Sequence, residues 1–105
     1  MTNYVLLYNG GGMPETQEEQ AAVMAAWGAW MESMGEALVD GGNPFSGQAK
    51  SISADGTVSA GSLAEGSSGY SIISADSLDA AVALAKGCPI LEGGGSISVF
   101  ETFAM

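Results

Sequence analysis

The sequence predicts an α+β domain in which two helices cover one face of a four-stranded antiparallel sheet. Three observations carry that expectation. Runs of β-forming residues open the chain, recur past its middle and close it, at Tyr4–Tyr8, Tyr70–Ala75 and Ile97–Phe103. Between them, two segments repeat their apolar residues at the spacing of a helix face. And 105 residues, 47% of them apolar, suit one domain with one hydrophobic core.

The elements follow in order. Tyr4-Val5-Leu6-Leu7-Tyr8, closed by Gly10-Gly11-Gly12, reads as a buried strand. Thr16-Gln17-Glu18-Glu19 then fits a capping box: the Thr16 hydroxyl accepts from the Glu19 amide and the Glu19 carboxylate reaches back. Carboxylates here also suit the positive end of the helix dipole. The helix is expected to run to about Leu38. Wound at about 100° per residue, it brings Val23, Met24, Trp27, Trp30, Met31, Met34 and Leu38 onto one wide stripe, with Glu18, Glu32 and Glu36 opposite. Leu38–Pro44, with Gly41-Gly42-Asn43-Pro44, reads as a loop. Gln48–Ser53 gives a weak strand signal, Asp55-Gly56 a hairpin-type turn, and Thr57-Val58-Ser59 a return along the same edge. Gly61–Gly69 is small and polar, a loop. Tyr70–Ala75 is a strand. Asp76 or Ser77 caps a second helix, whose apolar positions are Leu78, Ala81, Val82, Leu84 and Ala85 and which stops at Gly87 and Pro89. The link Glu92–Gly95 leads into the last strand, where both faces are partly apolar.

The order β–α–β–β–α–β is the split βαβ, or ferredoxin-like, arrangement. Its helices cover one face of the sheet only. Tyr, Phe and Leu residues supply both faces, so a second copy of the chain is the natural cover and a homodimer is expected.

Charge narrows the partners. Twelve carboxylates face only Lys50 and Lys86, for a net charge of −10. Such a surface repels phosphate backbones and anionic lipid, so neither nucleic acid nor membrane is expected as a partner. The opening residues lack the basic region and apolar length of a signal peptide, no segment has the apolar length of a membrane span, and the single cysteine, Cys88, allows no intrachain disulfide. A cytoplasmic location is the expectation. Histidine is absent. With it go Ser-His and Cys-His pairs, a haem held by a proximal histidine, and an imidazole zinc site. Glu15, Glu18 and Glu19 are explained by capping and solvation, so no metal and no cofactor is expected.

Some residues remain candidates for binding or chemistry. Trp27 and Trp30, with Met24, Met31 and Met34, either pack on the sheet or line an apolar ligand cleft. Asp40, on the expected loop after the long helix, either holds an Asx turn or, partly desolvated, acts as an acid or base. Lys50 is a strand-edge guard or an anchor for an anionic ligand. Tyr8 and Tyr70 are strand tyrosines whose hydroxyls reach a cleft or a carbonyl. Cys88 stands at a helix C-terminus, where the dipole disfavours a thiolate, and reads as a packing residue.

Gly69-Tyr70-Ser71-Ile72-Ile73-Ser74-Ala75-Asp76-Ser77-Leu78-Asp79-Ala80-Ala81, with Ala85-Lys86-Gly87-Cys88-Pro89 after it, resembles the late part of YCII-related (DGPF) domains. Tyr4–Tyr8, Gly35-Glu36-Ala37-Leu38 and the last strand are similar as well. The resemblance spans nearly the whole chain as a single YCII-related domain. It implies a dimeric α+β barrel, two ferredoxin-like sheets packed together with a cleft between sheet and helix in each subunit. Members often carry a His-Asp pair, which this chain cannot match; the DGPF tetrad would fall near Ala60-Gly61-Ser62-Leu63, where it is missing. No catalytic residue is carried over.

Three functional readings follow. The first is a homodimeric small-molecule-binding domain with a cleft between the sheet and the long helix, its ligand touching Trp27, Trp30, Met31, Lys50 and Tyr70. The second is a cofactor-free enzyme of isomerase, lyase or oxygenase type acting on a small organic acid or aromatic, with Asp40 as general base, Lys50 as anion anchor, and Trp30 and Tyr70 as walls. The third is a protein-interaction module docking through the acidic helix face.

Overall fold

The computed structural model describes residues 1–11 and 14–104. Its centre is a four-stranded antiparallel sheet ordered β2-β5-β1-β6, formed by β1 (Thr2–Asn9), β2 (Leu38–Asp40), β5 (Ser67–Ala75) and β6 (Ser96–Glu101). With α1 (Gln17–Met34) and α2 (Leu78–Ala85) these strands run β–α–β–β–α–β. That is the ferredoxin-like arrangement expected from the sequence.

Parity along β1 sets the two faces. Tyr4, Leu6 and Tyr8 are buried, while Val5 and Leu7 between them are half-buried. The register puts Tyr4 beside Ile73, and Leu6 between Ser71 and Val99. These side chains share one side, since successive residues of a strand alternate. Trp30 and Met34 from α1, Ala81 and Ala85 from α2, and Cys88 and Ile90 beyond it complete the buried cluster. The opposite side carries Val5 between Ile72 and Phe100, and Leu7 beside Tyr70. Phe45 stacks on Tyr70 with ring centroids 6.1 Å apart, and Phe100 is 53% exposed. The helix-free face is apolar at its centre, around Val5, Ile72, Phe100, Leu7 and Tyr70, and polar where Asn3 meets Ser74 and Asn9 meets Ser96.

The Thr16 hydroxyl accepts from the Glu19 amide at 3.1 Å, the first half of the anticipated capping box. α1 ends at Met34, a turn earlier than expected. Gly35 takes a φ of +54° there, and Gly35–Ala37 tightens into a 3-10 turn. Met24 is 63% exposed rather than packed. At 100° per residue it lies about 80° from the centre of the buried stripe, beyond the reach of the sheet. α2 is capped by the Ser77 hydroxyl, which accepts from the Ala80 amide at 3.1 Å.

The second strand of the sheet is a further correction. Leu38–Asp40, expected as the beginning of a loop, is the edge strand β2, paired with β5 across an irregular register. The weak signal at Gln48–Ser53 belongs elsewhere: β3 (Lys50–Ile52) pairs with β4 (Val58–Ala60) in a separate two-stranded sheet. Its turn uses Gly56 at φ +90°, and the Asp55 carboxylate accepts from the Thr57 amide at 2.9 Å and the Ser53 hydroxyl at 3.0 Å. These bonds hold Asp55 below the usual carboxylate range, the Thr57 bond most of all. From Asn43 to Gly66 every residue but Ser51 is exposed. The hairpin therefore stands off the body, and the radius of gyration, 15.1 Å, exceeds the ~13 Å typical of about 100 residues.

Candidate functional site

Aromatic rings line the space between α1 and the sheet. Trp27, half-buried, meets Tyr8 edge to face with centroids 5.2 Å apart, and meets Trp30 in the same manner at 5.7 Å. Trp30 is the inner member. Its indole N–H donates to the Leu84 carbonyl at 3.0 Å, which ties α1 to the last turn of α2. Gly87 allows that approach, since a Cβ there would stand 3.1 Å from the Trp30 ring.

Beneath the rings runs a directional hydrogen-bond chain. The Tyr8 hydroxyl donates to Ser71 Oγ at 2.7 Å, and Ser71 Oγ donates to the Gly41 carbonyl at 2.8 Å. Among the described residues, no buried side-chain polar atom lacks a partner. Burial pushes the Tyr8 phenol up to about 12; the Ser71 bond opposes this and neighbouring Cys88 adds to it. Burial likewise pushes the Cys88 thiol up to about 11, with the neighbouring Ile90 amide and Tyr8 opposing the shift. Both groups are neutral near pH 7, so Cys88 is not poised as a nucleophile.

The sequence-predicted site residues separate into two groups. Trp27, Trp30 and Met31 share the buried side of α1. Met31 lies against Gly41, close enough that a Cβ added to the glycine would stand 3.5 Å from the Met31 sulfur. Tyr70 points to the other side of the sheet, paired with Leu7 and stacked on Phe45. Trp30 and Tyr70 therefore do not wall a common cleft. Asp40 is exposed, and its carboxylate accepts from the Gly42 amide at 2.8 Å, the Asx-turn arrangement. Lys50 is exposed on β3, beside Ala60 of the projecting hairpin. The Asp40 carboxylate is thus engaged in the turn beside Gly41, and Lys50 lies on the hairpin; neither belongs to the buried cluster.

Ser71 is a member of this layer that residue type alone does not single out. The signal for it is parity: it is two residues before Ile73 on the buried side of β5, a polar residue where packing wants an apolar one. Among the described residues, no group of three or more Asp, Glu, His or Cys side chains could hold a metal ion, and no helix is long and apolar enough to cross a membrane.

Comparison with known proteins adds a likeness of fold. No family model matches the sequence, and no curated protein does. Among solved structures, the chain is similar to 5-chloro-2-hydroxyhydroquinone dehydrochlorinase (TftG) from Burkholderia phenoliruptrix AC1100, in its complex with 2,5-dihydroxybenzoquinone. The TM-score is 0.58 at 16% identity, over 97% of this chain and 95% of that one. At that identity the likeness establishes the α+β, ferredoxin-like fold.

Proposed function

We propose that this chain is a homodimeric small-molecule-binding domain, related to the YCII-related proteins, with its ligand cleft between the sheet and α1. The observation that carries the reading is Trp27. It is the aromatic ring of the α1 layer that keeps an open surface, braced from below by Tyr8 and from the side by Trp30. A compact ring stacking there meets a rigid indole at small entropic cost. Met31 supplies an adaptable wall, and Trp30 supports the site from behind without touching the ligand. Asp40, Lys50 and Tyr70 have other tasks in this reading: a turn, a solvated hairpin and the helix-free face. The similar dehydrochlorinase holds 2,5-dihydroxybenzoquinone, which supports an oxygenated six-membered ring as the ligand class.

Titration calorimetry with 2,5-dihydroxybenzoquinone tests the cleft. Saturable heat that weakens about tenfold or more in Trp27→Ala is expected; no heat at millimolar ligand removes the reading. The dimer rests on the apolar helix-free face. Sedimentation velocity at micromolar concentration should give twice the chain mass of 10.5 kDa, and Phe100→Glu should shift it towards one. A wild-type monomer contradicts the pairing.

A further inference from the structure

We propose that the groove between α2 and β6 is a second binding site, for a small aliphatic carboxylate, with Lys86 holding the carboxylate and Val82, Leu91, Ile97 and Val99 holding the chain. The groove arises from a mismatch in the fold. β6 is the outermost strand of the sheet, and α2, only eight residues long, turns its buried alanines towards the centre of the molecule. Ile97 and Val99 point to the helix side, as partners of Tyr8 and Leu6, yet stay half-buried. What remains is a concavity of about 330 Å³, at the low end of the ~300–1,000 Å³ usual for small-molecule sites. Leu78 and Leu91 at its rim are 44% and 41% exposed, large apolar surfaces in a strongly acidic molecule.

The chemistry of the walls selects the ligand. They are Leu, Val, Ile and Ala, with no aromatic ring among them, which suits an alkyl chain or saturated ring. The charged group is Lys86, one of two cations in a chain of net charge −10. Most of this surface repels an anion, Asp79 and Glu92 beside the rim included, and Lys86 is the group of the groove that attracts one. The C-terminal end of α2 opposes an anion on its own axis. The carboxylate therefore sits on the ammonium, out along the lysine stem, with the alkyl chain inward. The site shares no residue with the Trp27–Tyr8 layer, so it stands or falls apart from the cleft.

Octanoate and octanol, titrated separately into the full chain, test the proposal by amide proton–nitrogen correlation spectra. Expected are saturable octanoate shifts confined to the amides of α2, residues 86–91 and β6, with octanol about fivefold weaker, the scale of one exposed charge contact. Lys86→Met should bring octanoate down to the octanol affinity while leaving octanol unchanged. Lys86 is exposed, so that variant keeps the fold, as dispersed spectra will report. Equal affinity for the two ligands overturns the proposal. So do shifts that do not saturate, shifts centred on Trp27, or a groove closed to octanoate by a segment of a second copy.

Discussion

Removing the Ser71 hydroxyl should destabilise the fold more than removing the Tyr8 hydroxyl, although the two share a hydrogen bond. In the chain Tyr8→Ser71→Gly41, the serine both accepts and donates. Tyr8→Phe deletes the phenol and leaves Ser71 bonded to the Gly41 carbonyl. One net bond is lost, about 1 kcal/mol. Ser71→Ala deletes the bond to Gly41 and also strands the Tyr8 hydroxyl, on a residue only 5% exposed. An orphaned buried group costs about 1–3 kcal/mol, so with the lost bond the total is about 2–4 kcal/mol. The double variant loses both bonds but strands no phenol, for about 2 kcal/mol. The coupling between the two sites is therefore negative, by about 1 kcal/mol or more. Urea unfolding at fixed protein concentration measures all four forms, the fixed concentration holding any association constant. Additivity within about 0.5 kcal/mol, or a costlier Tyr8→Phe than Ser71→Ala, would refute the chain as drawn.

Three shorter predictions concern the same core. Tyr8 and Cys88 are both raised in the folded state, to about 12 and about 11 from ordinary values of 10.0 and 9.0. The unfolded chain thus releases these protons first; the stabilisation is full below about pH 9 and is lost as pH rises through 11 to 12. Unfolding followed across alkaline pH should show that decline, with Cys88→Ala removing its lower part. Trp30→Phe keeps a ring but leaves the Leu84 carbonyl without the indole donor; thermal unfolding should report a loss of about 1–2 kcal/mol. Gly42 has a φ of +70°, and a Cβ there would run into the Tyr70 carbonyl oxygen. Gly42→Ala should cost more than about 2 kcal/mol and loosen β2 from β5, visible as faster amide exchange at Ile72.

Most of the fold is legible in the sequence because its long elements carry local signals. β1 and β5 are runs of β-forming residues, α1 and α2 repeat their apolar residues at the spacing of a helix face, and the caps at Thr16 and Ser77 fall where the hydroxyl residues stand. β2 is not legible. Three residues cannot display a period, its register with β5 is irregular, and Gly41-Gly42-Asn43-Pro44 follows at once, the punctuation of a loop. Only pairing with β5 makes it a strand, and pairing is a tertiary fact. The hairpin turn, by contrast, is local chemistry, and Asp55-Gly56 announces it.

The candidate site is less legible because it depends on parity between strands rather than on residue type. Tyr70 and Ser71 are neighbours in sequence, and the tyrosine is the more obvious ligand-binding residue. The register nevertheless sets Tyr70 beside Leu7, on the helix-free face, and Ser71 beside Leu6, beneath the aromatic layer. One step along the strand exchanges the two, and nothing local to β5 says which way it falls. The tryptophans, by contrast, share a stripe and differ in role. Trp30 spends its N–H on Leu84 and is 7% exposed, so its ring is structure. Trp27, one turn earlier on the helix, leans on Tyr8 and stays partly exposed. In the proposed cleft Trp27 is the ring with surface left to offer, whereas Trp30 is enclosed between α1 and α2. The difference between the two tryptophans therefore lies in depth of burial and in the bond that Trp30 makes to Leu84, which the spacing of two tryptophans on one stripe does not encode.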